Sequence, residues 1–555
     1  MNKKVCSFPI LFALLALLIG TCAVVFPASA QAAPTSTGSI TVSGTVASSY
    51  DAYQIFSANV VDGDSDAKIA TDLAWASDAA RDAVLPVLHS AGMSNSQTTA
   101  REAAERLNTD SHLTSALSAQ LARSLQSSGA VSVALNAGTT AELPCGYWLI
   151  VADDDAIAQG EAGTAPIMAL VGGSAVTVKP KAATPKVSKH VLEDSAAAWQ
   201  KAADATVADD LYWRLSATVP AGLTAYDTYT VRFVDTMSAG LDPSKVAASM
   251  RVYVAAGADG GFDAVSAGKD GRAGTDPAKG WTDITAQCAT KVAADGTFTV
   301  RTGDLIAALG GADAFTAGAR VVAVYNAPLN SACSHGIAKG NPNEVYLRYP
   351  RSPFADQSGD AGFTRTPSDD ACAYTWDLAL TKRGSDGDKP LAGAVLSIAD
   401  DRGRTLAADG TWDAEGKDTV TTGEDGRVTV SGVDSGKLEV RELKAPKGYT
   451  AFEGMRSVTV KAEGLDVDQV AAAKPKLTIT AESPLRADSA DGSTGSLEAS
   501  LINTPTGTPP SITTGGFMPS TGDMAMYAAA AAAVAGAALI VVALLVKRGG
   551  GSHKE

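Results

Sequence analysis

Two long stretches of this 555-residue chain alternate apolar and polar residues with the period of two that a half-buried β-strand has. Residues 371–506 form one of them, and residues 186–350 form the other. Short alternating segments separated by Gly/Asp turns predict β-sandwich domains. Within 186–350 the alternation is clearest in Leu211–Val219, Tyr226–Val234, Arg251–Ala255, Thr297–Val300, Arg320–Tyr325 and Val345–Tyr349.

Residues 35–180 also begin and end with strand patterns, but the middle of this region differs. Asp72 to Leu125 is rich in alanine and carries charges at helical spacing, as in Thr99 to Leu107, which predicts two or three helices. We therefore expect an all-β chain of tandem immunoglobulin-like β-sandwich domains, of which the first carries a helical insertion.

Segments of linker composition place the domain boundaries. Lys179 to Pro185 ends the first domain, Ser352 to Asp370 is polar and predicted to be a connector, and Thr504 to Gly516 is a spacer rich in Thr, Pro and Gly. The predicted domains are 31–183, 184–355 and 368–506, and residues 507–555 follow them.

A lysine, a carboxylate and an amide lie in phase with apolar neighbours on strands of the middle domain. They are Lys189, Asp235 and Asn343. Period-two geometry points each of them toward the apolar face of its strand. Asn341 has the same parity as Asn343, so phase alone does not choose between the two.

The third domain repeats this pattern in the same order, with Lys382, Glu442 and Asn503. One such residue at a strand end is usually a snorkelling side chain, but two ordered triplets make chance less attractive. A buried lysine or carboxylic acid shifts toward its neutral form, and a neutral amine is a nucleophile. A neutral acid could polarise the Asn carbonyl by hydrogen bonding. Attack would expel ammonia and leave a Lys–Asn isopeptide bond, with Asp235 and Glu442 catalysing only this intramolecular step.

Both ends of the chain carry signals of export. Lys3 and Lys4 precede an apolar stretch, and Ala28-Ser29-Ala30 fits a cleavage site, so residues 1–30 predict a secretory signal peptide, with Ala32 or Ala33 as alternative boundaries. Near the other end, a 23-residue apolar run at 524–546 is long enough to cross a bilayer, and a basic tail follows it. Immediately before this run lies the pentapeptide Met518-Pro519-Ser520-Thr521-Gly522.

The order of pentapeptide, apolar span and basic tail resembles the LPXTG cell-wall sorting signal of Gram-positive surface proteins, with Met518 in place of the leucine. The resemblance implies that a sortase cleaves the Thr521–Gly522 bond and passes the chain to an amine. A plain C-terminal membrane anchor is the alternative.

The third domain resembles the collagen-adhesin B-type domain of Gram-positive pilins. The matching segments are Leu378 to Lys382, Pro390 to Ala394, the E-box-like stretch Val440 to Tyr449, and Ile502 to Pro505.

The middle domain resembles the fimbrial isopeptide-forming domain, through Lys189, Val234-Asp235 and Gly340 to Asn343. This resemblance favours Asn343 over Asn341. The first domain also resembles the family, through Tyr50 to Phe56 and Leu143 to Tyr147, but no lysine lies on an early apolar face there, so no isopeptide bond is assigned to it.

Val176 to Lys181 resembles the pilin motif of the family, except that Lys179 stands where the family has tyrosine. The match implies that Lys181 is the amine joined to Thr521 of a neighbouring subunit. Lys179 and Lys186 are competing amines, and an ordinary basic linker is the structural alternative.

Composition excludes several other functions. The net charge of −15 argues against nucleic acid as a partner. No nucleophile–base motif indicates an enzyme, and we expect neither a cofactor nor a metal. A calcium loop in the Asp/Gly-rich segment 257–280 remains an alternative to a solvated loop. Four cysteines stay after signal-peptide removal, and Cys288 with Cys333 is the first choice for a disulfide.

Together these features predict the major, or backbone, pilin of a covalently polymerised surface pilus. Its expected partners are a sortase, identical subunits and peptidoglycan, with a host-surface ligand left open. A monomeric wall-anchored adhesin and a minor tip or base pilin are the alternatives.

Overall fold

Strands dominate the computed structural model of the chain. It describes residues 36–64, 67–108, 113–163, 165–180, 184–207, 209–221, 223–257, 280–338 and 340–507. Six β-sheets fall into three successive pairs along the chain, and each pair encloses apolar side chains. The predicted all-β fold with a helical insertion in the first domain is confirmed.

The first domain pairs a small sheet, of order β5-β1-β8, with a larger one of order β3-β2-β6-β7 that also holds β4 on β2. Ile40, Tyr50, Trp148 and Val171 are buried between the two sheets. Its strands are β1 (Thr37–Val42), β2 (Ser49–Asp62), β3 (Lys68–Trp75), β4 (Ser132–Asn136), β5 (Thr140–Pro144), β6 (Gly146–Ala152), β7 (Ile167–Val171) and β8 (Val176–Val178).

Three helices follow β3 and cover the other face of the larger sheet: α1 (Asp78–Ser90), α2 (Ala100–Leu107) and α3 (Ser115–Ser127). Each begins at a side-chain cap that accepts a backbone N–H of the first turn, from Ser77, Thr99 and Thr114. Thr99 and Glu102 complete a capping box. The small residues that made this stretch alanine-rich let the helices pack closely on the sheet.

The middle domain is a sandwich of two β-sheets. One has the strand order β10-β9-β12-β18-β14-β15, and the other has the order β11-β21-β19-β13-β17-β16 with β20 paired to β19. Trp213, Phe233, Tyr325 and Val345 are fully buried between them. The elements are β9 (Val187–Glu193), β10 (Ala198–Gln200), β11 (Ala202–Asp204), β12 (Tyr212–Thr218), β13 (Arg232–Met237), α4 (Val246–Ser249), β14 (Arg251–Ala255), β15 (Trp281–Asp283), β16 (Ala289–Val292), β17 (Thr297–Arg301), α5 (Leu305–Ala308), β18 (Arg320–Asn326), β19 (Asn341–Pro350), β20 (Phe363–Arg365) and β21 (Asp369–Tyr374).

In the third domain the first and last strands, β22 and β33, are parallel neighbours in the sheet β27-β22-β33-β29, which also holds β32. The facing sheet is β25-β24-β23-β28-β30-β31, with β26 on β23. The strands are β22 (Trp376–Gly384), β23 (Val395–Ala399), β24 (Thr405–Leu406), β25 (Trp412–Asp413), β26 (Val420–Thr421), β27 (Arg427–Val433), β28 (Gly436–Lys444), β29 (Tyr449–Thr450), β30 (Met455–Glu463), β31 (Lys476–Ala481), β32 (Leu485–Asp491) and β33 (Ser496–Pro505).

The segment 352–370, predicted to be a connector, lies along the middle domain instead. Gln357 accepts hydrogen bonds from Thr230, and both β20 and β21 pair with β19. Only Thr375 separates β21 from β22, so the predicted boundaries at 355 and 368 are corrected to residue 375. Polar composition was misleading because residues 363–365 and 369–370 of this segment form strands by pairing with β19, which composition does not indicate.

A buried carboxyl group joins the middle domain to the third. Asp204 Oδ2 accepts hydrogen bonds from Trp376 Nε1, Ser435 N and Ser435 Oγ, each at 2.7 Å. Glu193 Oε2 in turn accepts the Asp204 N–H at 3.1 Å. Burial raises the pKa of Glu193 to about 7, helped by the charge of Asp204, and burial also raises the pKa of Asp204 and of Asp434 at the same junction.

We therefore expect this junction to be more stable in mild acid. An acid whose pKa is higher in the folded than in the unfolded chain binds extra protons when folded, so its contribution falls as pH rises from about 4.5 to about 7. Thermal unfolding of the exported chain should show a higher melting temperature at pH 5 than at pH 7.5. Glu193→Gln should remove part of that difference, whereas the exposed Glu415→Gln should not. If Glu193→Gln showed the same pH dependence as the wild type, the pH effect could not be assigned to the raised pKa of Glu193.

Candidate functional site

Lys189 is fully buried between the two sheets of the middle domain. Its strand β9 pairs with β12, where Leu215 lies opposite, so the lysine follows the apolar phase of its strand as predicted. The ammonium nitrogen lies 5.5 Å from the ring centre of Trp213 and 5.4 Å from that of Tyr325. The amine is therefore enclosed by aromatic rings rather than by solvent.

Asp235 and Asn343 reach the same place from the opposite sheet, on the paired strands β13 and β19. Both are fully buried. Lys189 Nζ donates a hydrogen bond to Asp235 Oδ2. The structure thus brings together all three residues that the sequence predicted for this domain.

Tyr325 completes the cluster, and the sequence analysis did not find it. Its hydroxyl lies 2.8 Å from Lys189 Nζ, donates to Asp235 Oδ2 at 3.1 Å and accepts from Asn343 Nδ2 at 2.9 Å. The alternation of β18 places Tyr325 on the core face, but a tyrosine in an apolar strand looks like ordinary core. The one indication in the sequence was that a tyrosine hydroxyl on a core-facing strand position needs a hydrogen-bond partner.

Burial brings the two charged groups of this cluster toward neutrality. It lowers the pKa of Lys189 to about 8 and raises the pKa of Asp235 to about 6, although their mutual attraction opposes both shifts. Moving the proton from the ammonium to the carboxylate is therefore far easier than in water, where the pKa values are about 10.4 and 3.9. The arrangement can form a neutral amine beside a neutral acid.

The third domain contains the second predicted triplet, and its three side chains also meet. Lys382 Nζ lies 3.5 Å from Glu442 Oε1 and donates to Leu501 O at 3.2 Å. Asn503 Nδ2 donates to Glu442 Oε1 at 2.8 Å and to Oε2 at 3.0 Å. Burial lowers the pKa of Lys382 to about 8.

The two clusters have different strand arrangements. In the third domain Lys382 and Asn503 lie on parallel neighbouring strands, two residues apart in register, and Glu442 comes from the facing sheet. In the middle domain Lys189 faces Asp235 and Asn343 across the sandwich. In both, the asparagine Oδ1 is buried and has no hydrogen-bond partner within the described structure. The asparagine nitrogen faces the carboxyl in the third domain, whereas the sequence analysis expected its oxygen there.

Asn341, the alternative to Asn343, has a different role. Its Oδ1 accepts the Ser334 N–H at 2.8 Å, and its Nδ2 donates to Ser334 O at 2.9 Å and to Ala373 O at 3.2 Å. The side chain is therefore fully occupied in holding the loop before β19. These contacts separate the two asparagines, which parity alone could not.

The predicted disulfide between Cys288 and Cys333 is wrong. Both are free thiols, as are Cys145 and Cys372. Cys288 precedes β16, at the end of the sheet where Arg348 lies, while Cys333 lies near Asn341 at the other end of β19. Seven residues of strand span about 23 Å, far more than the 7 Å that a disulfide allows between Cα atoms.

Several predicted positions lie outside the described residues: the signal peptide 1–30, Lys181, the pentapeptide 518–522 and the apolar run 524–546. The competing amines Lys179 and Lys186 are described, and both are exposed. Among the described residues, helices long and apolar enough to span a membrane are absent. Over the same residues no cluster of three His, Cys, Asp or Glu side chains fits a metal ion, and the calcium alternative falls on the undescribed residues 258–279.

The third domain matches a known protein family. Residues 377–474 match the SpaA family, described as a prealbumin-like fold domain. We therefore call the third domain the SpaA-like domain. It contains Lys382 and Glu442 of the second cluster, while Asn503 lies beyond the matched residues.

One curated relative is the trypsin-resistant surface T6 protein of Streptococcus pyogenes serotype M6, 31% identical over 134 residues. The match spans 23% of each chain, so the chain covers about a quarter of that relative. Among solved structures, the T6 backbone pilin of the same serotype aligns with a TM-score of 0.46 and 17% identity, over 85% of this chain and 98% of that one. The major pilin SpaD of Corynebacterium diphtheriae aligns with a TM-score of 0.41 and 15% identity, over 86% and 100%.

The contacts of Asn341 predict a stability effect. Asn341→Ala leaves the Ser334 and Ala373 backbone groups without partners, so we expect it to destabilise the middle domain by about 1–3 kcal/mol in urea unfolding. Asn330→Ala removes two exposed side-chain bonds, one donated to Ala239 O and one accepted from the Ala332 N–H, whose partners can bind water instead, so it should change stability by less than half as much. Equal effects of the two substitutions would show that the Asn341 side chain does not hold the Ser334 loop in place.

Proposed function

We propose that this protein is the backbone subunit of a covalently polymerised pilus on a Gram-positive cell surface, stiffened by two internal Lys–Asn isopeptide bonds. The observation that carries the proposal is the double occurrence of a buried lysine, acid and asparagine in one chain. Keeping a buried lysine and carboxyl as an ion pair costs free energy, because both charges lose their hydration. A reaction that converts the lysine amine into an amide removes that cost. The SpaA-like domain and the export signals support the same conclusion.

The reaction proposed for the middle domain begins with proton transfer from Lys189 Nζ to Asp235. The neutral amine attacks Asn343 Cγ, so that the Nζ–Cγ bond forms while the Cγ–Nδ2 bond breaks. Asp235 gives its proton to the departing nitrogen, which leaves as ammonia, and takes up the proton that the attacking Nζ loses, so that Asp235 ends as the neutral acid. Tyr325, within hydrogen-bond distance of all three residues, keeps them in position.

In the SpaA-like domain Glu442 would have the same role between Lys382 and Asn503. Its two oxygens already contact the Asn503 nitrogen, which is the group that must be protonated to leave. The Phe452 N–H donates to Glu442 Oε2 at 3.1 Å and helps to orient the carboxyl. In this domain the bond would join the first strand to the last.

Such bonds would serve a filament under tension. A cross-link limits the extension of the chain that lies between its ends and lowers the entropy of the unfolded state. The SpaA-like domain would transmit force directly between β22 and β33. In the middle domain the bond would connect the two sheets of the sandwich. Polymerisation would proceed by sortase, which cleaves after Thr521 and joins it to Lys181 of the next subunit, and peptidoglycan would accept the last subunit.

Intact-mass spectrometry of the exported chain tests the internal bonds. The wild-type mass should be lower than the sequence mass by two ammonia molecules, since each bond expels one. Asp235→Asn and Glu442→Gln, which keep side-chain size, should each restore one ammonia, and the double variant should restore both. Glu439→Ala, on the same strand as Glu442 but paired with Lys437 at the surface, should restore none. An unmodified wild-type mass would overturn the isopeptide assignment without touching the sorting signal.

Co-expression with the cognate sortase tests polymerisation. Lys181→Arg keeps the positive charge but removes a usable amine, because guanidinium stays protonated. This variant should lose the ladder of covalent multimers on a denaturing gel, keep both ammonia losses and still reach the cell wall. Lys179→Arg and Lys186→Arg are the matched controls and should keep the ladder. A ladder that survives Lys181→Arg contradicts the acceptor assignment, and a wild type without any ladder favours the monomeric wall-anchored adhesin.

A further inference from the structure

A thiol, an imidazole and a carboxylate lie next to one another where the middle domain meets the SpaA-like domain. Cys333 Sγ lies 3.5 Å from His335 Nε2, and His335 Nδ1 lies 2.7 Å from Asp377 Oδ2. The imidazole thus contacts the thiol on one side and the carboxylate on the other. This is the order of groups that activates a nucleophile in enzymes: nucleophile, base, and a group that orients the base.

Backbone contacts hold the loop that carries the thiol and the imidazole. Asn341 binds both the N–H and the carbonyl of Ser334, which lies between Cys333 and His335. The Gly336 N–H donates to Thr375 O at 3.1 Å. A side chain at Gly336 would meet the Thr494 carbonyl carbon at 2.5 Å, so glycine permits the loop to approach the SpaA-like domain this closely.

Asp377 is fixed independently, from the SpaA-like domain. Its N–H donates to Gly495 O at 2.8 Å, and its Oδ1 accepts the Gly432 N–H at 3.2 Å, which leaves Oδ2 directed at His335. The nucleophile and the base therefore come from one domain and the orienting carboxylate from the next. The constellation exists only while the two domains are docked.

The surroundings of Cys333 differ from those of the other three cysteines. Cys145 and Cys372 are buried, and Cys288 is half-buried, with its thiol against the Ile284 carbonyl. Cys333 is half-buried with an imidazole beside it, and the side chain of His335 is 26% exposed, so a small molecule has access. Burial and the Asp377 charge raise the pKa of the Cys333 thiol to about 11, so the thiol is protonated at rest and needs a base at the moment of attack.

We propose that Cys333 is a nucleophilic site, activated by His335 and positioned by Asp377, that reacts with small disulfides by thiol–disulfide exchange. His335 Nε2 accepts the thiol proton as Cys333 Sγ attacks one sulfur of the incoming disulfide. The Cys333–sulfur bond forms, the disulfide bond breaks, and the imidazolium gives its proton to the departing thiolate. The products are a mixed disulfide on Cys333 and one small thiol, with no net oxidation.

The local backbone favours disulfides over acyl groups as the substrate class. Acyl transfer requires N–H donors for an oxyanion near the nucleophile. The N–H of Cys333 already binds Asn330 O at 3.1 Å, and the N–H of Ser334 binds Asn341 Oδ1. Disulfide exchange needs a base that takes the thiol proton and a proton donor for the leaving sulfur, and the His335 imidazole can do both in turn.

The test uses the purified exported chain and an aromatic disulfide, 5,5′-dithiobis(2-nitrobenzoate), whose released thiol is followed by absorbance. We expect one fast thiol per folded chain and four after denaturation. Peptide mapping should place the fast adduct on Cys333. Cys333→Ser should remove the fast phase, and Cys288→Ser, the matched half-buried control, should keep it.

His335→Gln and Asp377→Asn separate activation from simple exposure. Both should slow the reaction at pH 7 at least tenfold, while native circular dichroism and the internal mass deficits remain unchanged. The rate of His335→Gln should rise about tenfold per pH unit with the thiolate fraction, whereas the wild-type rate should depend on pH much less steeply because the imidazole takes the thiol proton. An unchanged rate and pH profile in His335→Gln, or a fast adduct on Cys288, would overturn the proposal. Neither outcome bears on polymerisation, which does not use this thiol.

Discussion

Burying a lysine amine beside a carboxyl between apolar sheets is the constraint on which the structure depends. Lys189 is fully buried with Asp235, and Lys382 is enclosed with Glu442, so neither amine is hydrated. An isolated charge in such a place costs several kcal/mol, and a buried pair recovers that cost only with good geometry. Conversion of each amine to a neutral amide removes the charge altogether. The proposed isopeptide bonds thus resolve an electrostatic problem that the folded core itself creates.

The domain junctions support the same mechanical interpretation. The middle domain leads into the SpaA-like domain through the single residue Thr375, and Asp204 crosses the boundary to bind Trp376 and Ser435. The first domain contacts the middle one through Gly160, whose carbonyl accepts the Tyr349 hydroxyl at 2.8 Å. Successive domains that dock through buried polar contacts resist bending better than domains on flexible linkers. The thiol site at Cys333 depends on the same docking.

The sequence predicted the residues of both clusters because strand phase is a local property. Phase could not separate Asn341 from Asn343, since only the Ser334 loop shows which amide is already occupied. Tyr325 was missed because a buried tyrosine in a strand carries no distinctive pattern. The predictions of a Cys288 disulfide and of a connector at 352–370 were wrong for a different reason. Both depend on strand order and long-range pairing, which composition does not encode.

A crystal structure at atomic resolution measures the central claim directly, through the distance between Lys189 Nζ and Asn343 Cγ and between Lys382 Nζ and Asn503 Cγ. An amide bond places these atoms about 1.33 Å apart, with the asparagine nitrogen gone. The account predicts continuous density at that distance in both domains. Separate side chains at ordinary contact distance, each with its own terminal nitrogen, would contradict it.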